Sequence, residues 1–164
     1  MLYRGEIPMT KRQERGRELF LSGYNCAQSV LIPFADVLGL TEEQAALVAV
    51  GFGGGMGRLR KNCGAYSAMV MLCGAFFGPD GAKAELRTEV YAQVQRVHRL
   101  FRDTFGTDQC AELLGIPSQP CPPQPEARTQ SYYERRPCLR IITETCGLVE
   151  KILQETRERD VCEH

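Results

Sequence analysis

The chain has 164 residues, 43% of them hydrophobic, and carries 20 basic and 20 acidic side chains, so its formal net charge is zero. That length fits one domain around one core, and a neutral chain has no long-range field to gather nucleic acid or anionic lipid. The N-terminal MLYRGEIPMTKRQERGRELF lacks an apolar export region with a small-residue cleavage site, and no run reaches the ~18 apolar residues of a membrane span, so a cytoplasmic protein with reduced thiols is expected.

Helical periodicity runs along nearly all of the chain, and a single all-α bundle of six to seven helices is expected over 1–164. Lys11–Leu21 is a charged segment with apolar Leu19, Phe20 and Leu21 near its end, and Ser22-Gly23 stops it. Asn25 suits the N-cap of a second helix, Cys26–Leu38, which Pro33 should kink or shorten and Gly39 should close. Thr41 with Gln44 forms a capping box opening a third helix, Glu42–Val50. A glycine-rich loop spans Gly51–Asn62, after which Asn62 is expected to cap a strongly apolar helix from Cys63 to about Phe77. The turn GPDG precedes a long amphipathic helix from about Ala82 to Phe105, with Leu86, Val90, Val94, Val97 and Phe101 at helical spacing. Asp108 is placed to cap a short helix holding Cys110, Leu113 and Leu114. Gly115–Pro137 is rich in proline and reads as a loop; Pro137 then suits the first turn of a last helix, Cys138 to about Arg159.

Eight cysteines in a reducing compartment do not suggest a disulfide framework. Four of them, Cys26, Cys63, Cys110 and Cys138, each fall in the first turn of an expected helix. Unpaired N–H groups and the positive end of the helix dipole stabilise a thiolate there, a setting that makes a cysteine a ligand or a nucleophile. Arg58, Arg60 and Lys61, just before Cys63, push the same way. No CxxC occurs, which argues against a zinc knuckle and a thioredoxin-like motif. Four distant helices are still able to close around one metal or iron–sulfur cluster, or to supply redox pairs by disulfide exchange. Cys73 and Cys146 read as core, Cys121 as an exposed incidental thiol between prolines, and Cys162 as incidental in the polar tail.

Gly51, Gly53, Gly54, Gly55 and Gly57 match neither phosphate-loop pattern. Two readings stand level: a tight crossing where only glycine fits, and N–H groups aimed at cluster sulfides or an anion. His98 reads as a surface residue of the long helix, and no hydrolase triad, HExxH, EF-hand or paired-carboxylate signature appears.

Read in order, SGYNCAQSVL, GFGGGMGR, NCGAYSAMVMLCGAFFG, CAELLG and PCLRIITETCGLVEKIL resemble the family named C_GCAxxG_C_C, over about Arg15 to Leu153. The family's four defining cysteines fall on Cys26, Cys63, Cys110 and Cys138, the same four that begin helices. The resemblance implies a small helical redox-active protein associated with oxidoreductase or transporter systems. A similar module in split-Soret cytochromes implies an iron–sulfur cluster, although this chain has no CxxCH for haem attachment. One position departs from the pattern: Ala68 stands where the Cys-Gly-Ala-x-x-Gly motif ends in glycine, adding a methyl to the helix packing.

The leading expectation is therefore one metal site with Cys26, Cys63, Cys110 and Cys138 as ligands of an iron–sulfur cluster for electron transfer. Gly53, Gly54, Gly55, Gly57 and Arg58 would surround it and tune its potential. A metal-free thiol–disulfide protein, with the same four thiols as redox groups, and a structural zinc module are the alternatives. The sequence leaves open whether the chain is itself an oxidoreductase or an electron-transfer accessory, and which redox partner it meets; its apolar helices allow a homodimer.

Overall fold

A computed structural model of the chain describes residues 8–78 and 83–162, with side chains to residue 158. Among the described residues the protein is all-α: α1 (Lys11–Leu21), α2 (Cys26–Leu31), α3 (Glu42–Ala49), the single turn α4 (Gly53–Met56), α5 (Gly64–Phe77), α6 (Ala84–Phe105), α7 (Cys110–Leu114), α8 (Gln130–Arg135) and α9 (Cys138–Cys162). Of the expected GPDG turn only Gly78, the C-cap of α5, is described; its other three residues and the start of the long helix at Ala82 fall on 79–82, outside the described residues. So does the side chain of Cys162.

Local chemistry sets most helix starts. Thr10, Asn25 and Thr41 each close a full capping box, with Gln13, Gln28 and Gln44 respectively, so two orphan donors are satisfied at every one of these starts. Pro33 ends α2 earlier than expected. The α-helix stops at Leu31 and the chain continues as a 3-10 turn, Ile32–Phe34, since proline offers no N–H and its ring crowds the preceding turn.

Three expected elements are corrected. Asn62 does not cap α5; Cys63 itself is the N-cap residue, without a side-chain cap, and Asn62 Nδ2 instead donates to Asp108 Oδ2 at 2.8 Å. Asp108 is likewise not the cap of α7, whose N-cap is Gln109. The Pro-rich stretch is not all loop, because Thr129 caps α8 by accepting from the Tyr132 N–H at 3.2 Å.

α5 is the central element and packs against α2, α6 and α9, while α1 lies along α9. Its buried face carries Ala65, Ala68, Met69, Leu72 and Cys73, meeting Val30 and Leu31 of α2, Phe101 of α6 and Ile142 of α9 in one apolar cluster. Ala68, where the family motif has glycine, is fully buried, so its methyl is accommodated within the core. Cys73 and Cys146 are buried in the same cluster, as expected. α1 approaches α9 closely at Gly16, where an added Cβ would stand 2.8 Å from Cys146 Sγ. His98 lies edge-on against Tyr66, half-buried on α6.

Candidate four-thiol site

Three of the four cysteines open helices as expected, Cys26 α2, Cys110 α7 and Cys138 α9, while Cys63 stands one residue outside α5 as its N-cap. The fold brings all four to the wall of one pocket of about 20 Å³, completed by Gly54, Gly55 and apolar side chains that include Leu113 and Ile141. None of the four is in a disulfide.

The chain holds them there by short, specific contacts. The Cys63 N–H donates to the Asp108 carbonyl and the Cys110 N–H to the Lys61 carbonyl, both at 2.7 Å, around an isolated bridge between Asn62 and Gln109. This pairing locks the starts of α5 and α7 side by side. On the opposite side Asn25 Nδ2 donates to the Val50 carbonyl at 2.9 Å and Gln28 Nε2 to the Ala46 carbonyl at 3.1 Å, tying the start of α2 to the chain entering the glycine loop.

The glycine loop is a tight crossing. Gly55 has φ +69°, and an added Cβ there would stand 2.6 Å from Cys110 Cβ and 2.9 Å from the Lys61 nitrogen. Only glycine fits that backbone and that space. Gly53 packs on Asn25, while Gly54 and Gly55 are the two glycines lining the thiol pocket; Gly53 and Gly57 face an outer cleft instead. Met56, Arg58 and Arg60 also hold positive φ, at 62°, 67° and 61°, so the loop is left-handed even at non-glycine positions.

Of the two loop arginines it is Arg60 that reaches sulfur atoms. Arg58 donates its Nε to the Pro122 carbonyl at 2.6 Å and stays at the outer rim. Arg60 is 2% exposed, and donates Nε to Cys121 Sγ at 3.2 Å and Nη1 to Cys110 Sγ at 3.8 Å. Cys121 is not incidental, being joined to the site through that guanidinium.

Electrostatically the four thiols differ, which corrects the expectation that each helix start would favour a thiolate. Burial pushes Cys63 up to about 12, against the opposing N–H groups of Tyr66 and Ala65. Burial also raises Cys110, although Arg60 opposes it. Cys26 rises well above the ordinary thiol value because it donates a hydrogen bond to Cys138, and burial adds to this. Cys138 alone is lowered, to about 7: the Cys26 hydrogen bond comes first, with help from the charge and hydrogen bond of Arg136. Desolvation thus leads at Cys63 and Cys110, while the hydrogen bond shared by Cys26 and Cys138 leads at both of those thiols, raising the donor and lowering the acceptor.

The sequence reading missed α8 and the cations beside it. Arg136 stacks on Tyr132 with its guanidinium carbon 4.4 Å from the ring centroid and pairs with Glu126 at 2.5 Å. Arg128 stacks on the same ring at 4.7 Å and donates to the Tyr24 carbonyl. Thr129, three residues before Tyr132, is an N-cap signal that a closer reading of the Pro-rich stretch would have found.

Among the described residues, no three His, Cys, Asp or Glu are grouped as one metal ion requires, and no helix is long and apolar enough to cross a membrane. Residues 24–152 match the family described as "Putative redox-active protein (C_GCAxxG_C_C)". No curated protein and no solved structure matches the chain. The match covers most of the sequence, and the chain belongs to this family of redox-active proteins.

Proposed function

We propose that Cys26, Cys63, Cys110 and Cys138 together hold an iron–sulfur cluster and that the protein passes electrons through it. The observation that carries this reading is the convergence of four thiols, from four separate helix starts, on one pocket whose other walls are glycine and aliphatic. A disulfide pair alone needs two of them. The donor set suits a cluster, for which four cysteine thiolates are the usual ligands. A cluster spreads its ligands over several irons and so tolerates wider thiol spacing than a single ion. When bound, it supplies one-electron chemistry.

The chain's own residues have definable parts in this. At the start of α5 the Tyr66 and Ala65 N–H groups favour the deprotonated Cys63 sulfur against its burial, and Cys138 is favoured as thiolate by Cys26 and Arg136. Arg60 brings a buried positive charge and two donors to the Cys110 side, which favours the reduced, more negative state. Leu113, Ile141 and Ile142 exclude water from the inner wall.

The Cys26–Cys138 contact favours a second reading, a metal-free dithiol in which the Cys138 thiolate attacks a substrate disulfide and releases one substrate thiol, and Cys26 then displaces the second, so that the substrate is reduced by two electrons and the pair is oxidised to a Cys26–Cys138 disulfide. Anaerobic purification and cluster reconstitution, followed by visible spectroscopy and iron and zinc analysis, separate the readings. Visible absorbance with iron, lost in both Cys63→Ser and Cys138→Ser, is the expected result. A colourless, metal-free protein that still cycles between a Cys26–Cys138 disulfide and dithiol by mass spectrometry overturns the cluster. Zinc without a chromophore points to the structural alternative.

A further inference from the structure

Outside the thiol pocket lies a second, larger cleft of about 360 Å³, onto which Cys26, Cys110 and Cys138 also open. Four guanidiniums line it, those of Arg58, Arg60, Arg128 and Arg136, against the single carboxylate of Glu126, an excess of three positive charges. Glu126 Oε1 is shared, at 2.5 Å with Arg136, 3.8 Å with Arg60 and 3.9 Å with Arg58. One carboxylate oxygen cannot satisfy three forked cations, each of which presents five donors.

The cost of this arrangement is visible in the backbone. Arg58 and Arg60 both sit in the left-handed region, at φ 67° and 61°, which disfavours any side chain with a Cβ. Both residues, two apart in the loop, line the cleft. Strain of this kind persists where the surroundings impose it and clusters at ligand sites. Balancing sulfur charge explains Arg60 and Arg136, which contact or face the thiols, but not Arg58, whose side chain, among the described residues, bonds the Pro122 carbonyl and, at longer range, Glu126. The volume is that of a small-molecule site, and the cleft is walled by Tyr132, Pro123 and Pro125.

We infer that this cleft binds a small molecule bearing an oxyanion, a carboxylate or a phosphate, clamped by Arg58 and Arg136 directly over the thiol site. Guanidinium pairs recognise both groups through two parallel N–H bonds. That the bound molecule exchanges electrons with the site rests on the redox reading; that it binds does not.

Calorimetric titration of the purified protein tests the binding, with inorganic phosphate and malonate as probes, sodium chloride at matched ionic strength as reference, and iron and zinc measured on the same sample. Saturable binding of one probe beyond the chloride reference is expected, about tenfold weaker in Arg58→Gln. Glu126→Gln is expected to bind several-fold tighter, because it removes the competing anion. Misfolding cannot produce that gain. Preference for phosphate or for malonate identifies the oxyanion. Failure of both probes to exceed chloride, or affinities unchanged in both variants, overturns the inference whatever the iron content. Absence of iron after reconstitution, with the expected binding, instead sinks the cluster reading and leaves the cleft intact.

Discussion

Cysteine has two different lives in this molecule, and they separate by region. In the core, Cys73 and Cys146 sit among Leu72, Ile142 and Val149, and burial is the main cause that pushes their thiols up to about 11 and 12, with the Glu150 charge adding to it at Cys146. There sulfur is a small hydrophobe. At the other end of α5, thiols meet helix starts, a left-handed loop and a buried guanidinium, and one of them falls to about 7. Both regions are desolvated, so burial does not distinguish them. What differs is the presence of donors: Cys138 has the Cys26 thiol and Arg136, whereas Cys146 has only a long contact, 3.9 Å, in which it donates to the Ser29 carbonyl. The site breaks several local rules at once, with positive φ at three non-glycine residues and an arginine 2% exposed.

The widest separation between the two regions should appear in thiol reactivity. In reduced, metal-free protein at pH 7, Cys138 is about half thiolate while Cys73 is ionised at about one part in 10⁴. Iodoacetamide followed by peptide mass spectrometry should label Cys138 at least about a thousandfold faster than Cys73 or Cys146. Its rate should rise through pH 7 and level off by pH 8 to 9. A midpoint near 9 would mean that the Cys26 hydrogen bond and Arg136 do not act as described. The sign of the linked stability follows. Cys138, lowered in the fold, adds stability above the ordinary thiol value of 9.0 and loses it as pH falls through about 7. Cys63 and Cys146, raised to about 12, add stability below 9.0 and lose it as pH rises toward 12. Urea midpoints for the wild type minus those for Cys138→Ser should therefore grow between pH 6 and 9.

Next in size is the loop itself. Gly55→Ala places a methyl 2.6 Å from Cys110 Cβ and forces a side chain into φ +69°. The two nearest backbone atoms, Lys61 N and Arg60 C, belong to the segment that carries Arg60 toward the thiols. A loss of about 3 kcal/mol or more in unfolding free energy is expected, together with a displaced Cys110. Thermal unfolding measures the first and the yield of iron on reconstitution the second. A variant that kept both would show that the crossing is loose and the glycine incidental.

How legible all this was depends on the sequence distance of the deciding contact. Asn25 with Gln28 and Thr41 with Gln44 are contacts three residues apart, and the capping boxes and the helix starts at Cys26 and Glu42 could be read directly. Pro33 shortened α2 for an equally local reason. The same cap grammar misassigned Asn62 and Asp108, because these two bind each other across 46 residues and a tertiary partner outcompetes a local cap. Arg60 and Cys121 are 61 residues apart in sequence, and nothing in GRLRKN marks one arginine as buried and its neighbour as a rim residue. Thus the four helix-start cysteines could be identified, along with the all-α fold, while their gathering into one pocket and their unequal acidity depend on contacts that only the folded chain makes.

The smallest effect expected is in the core, and it tests the comparison from its quiet side. Cys146→Ala removes one sulfur atom from beside Ile142 and leaves the Ser29 carbonyl without its weak long-range donor. That carbonyl lies next to Gly16, where α1 and α9 approach too closely for a Cβ, so the helices have little room to shift inward over the gap. A loss of about 1 kcal/mol is expected from a cavity of that size, read as a shift in the urea midpoint with an unchanged slope. Iron content, thiol-labelling rate at Cys138 and anion binding should all match the wild type, since Cys146 does not line the thiol pocket. If Cys146→Ala instead abolished iron binding, sulfur in the core would belong to the site, and the division of the molecule into two kinds of cysteine would be wrong.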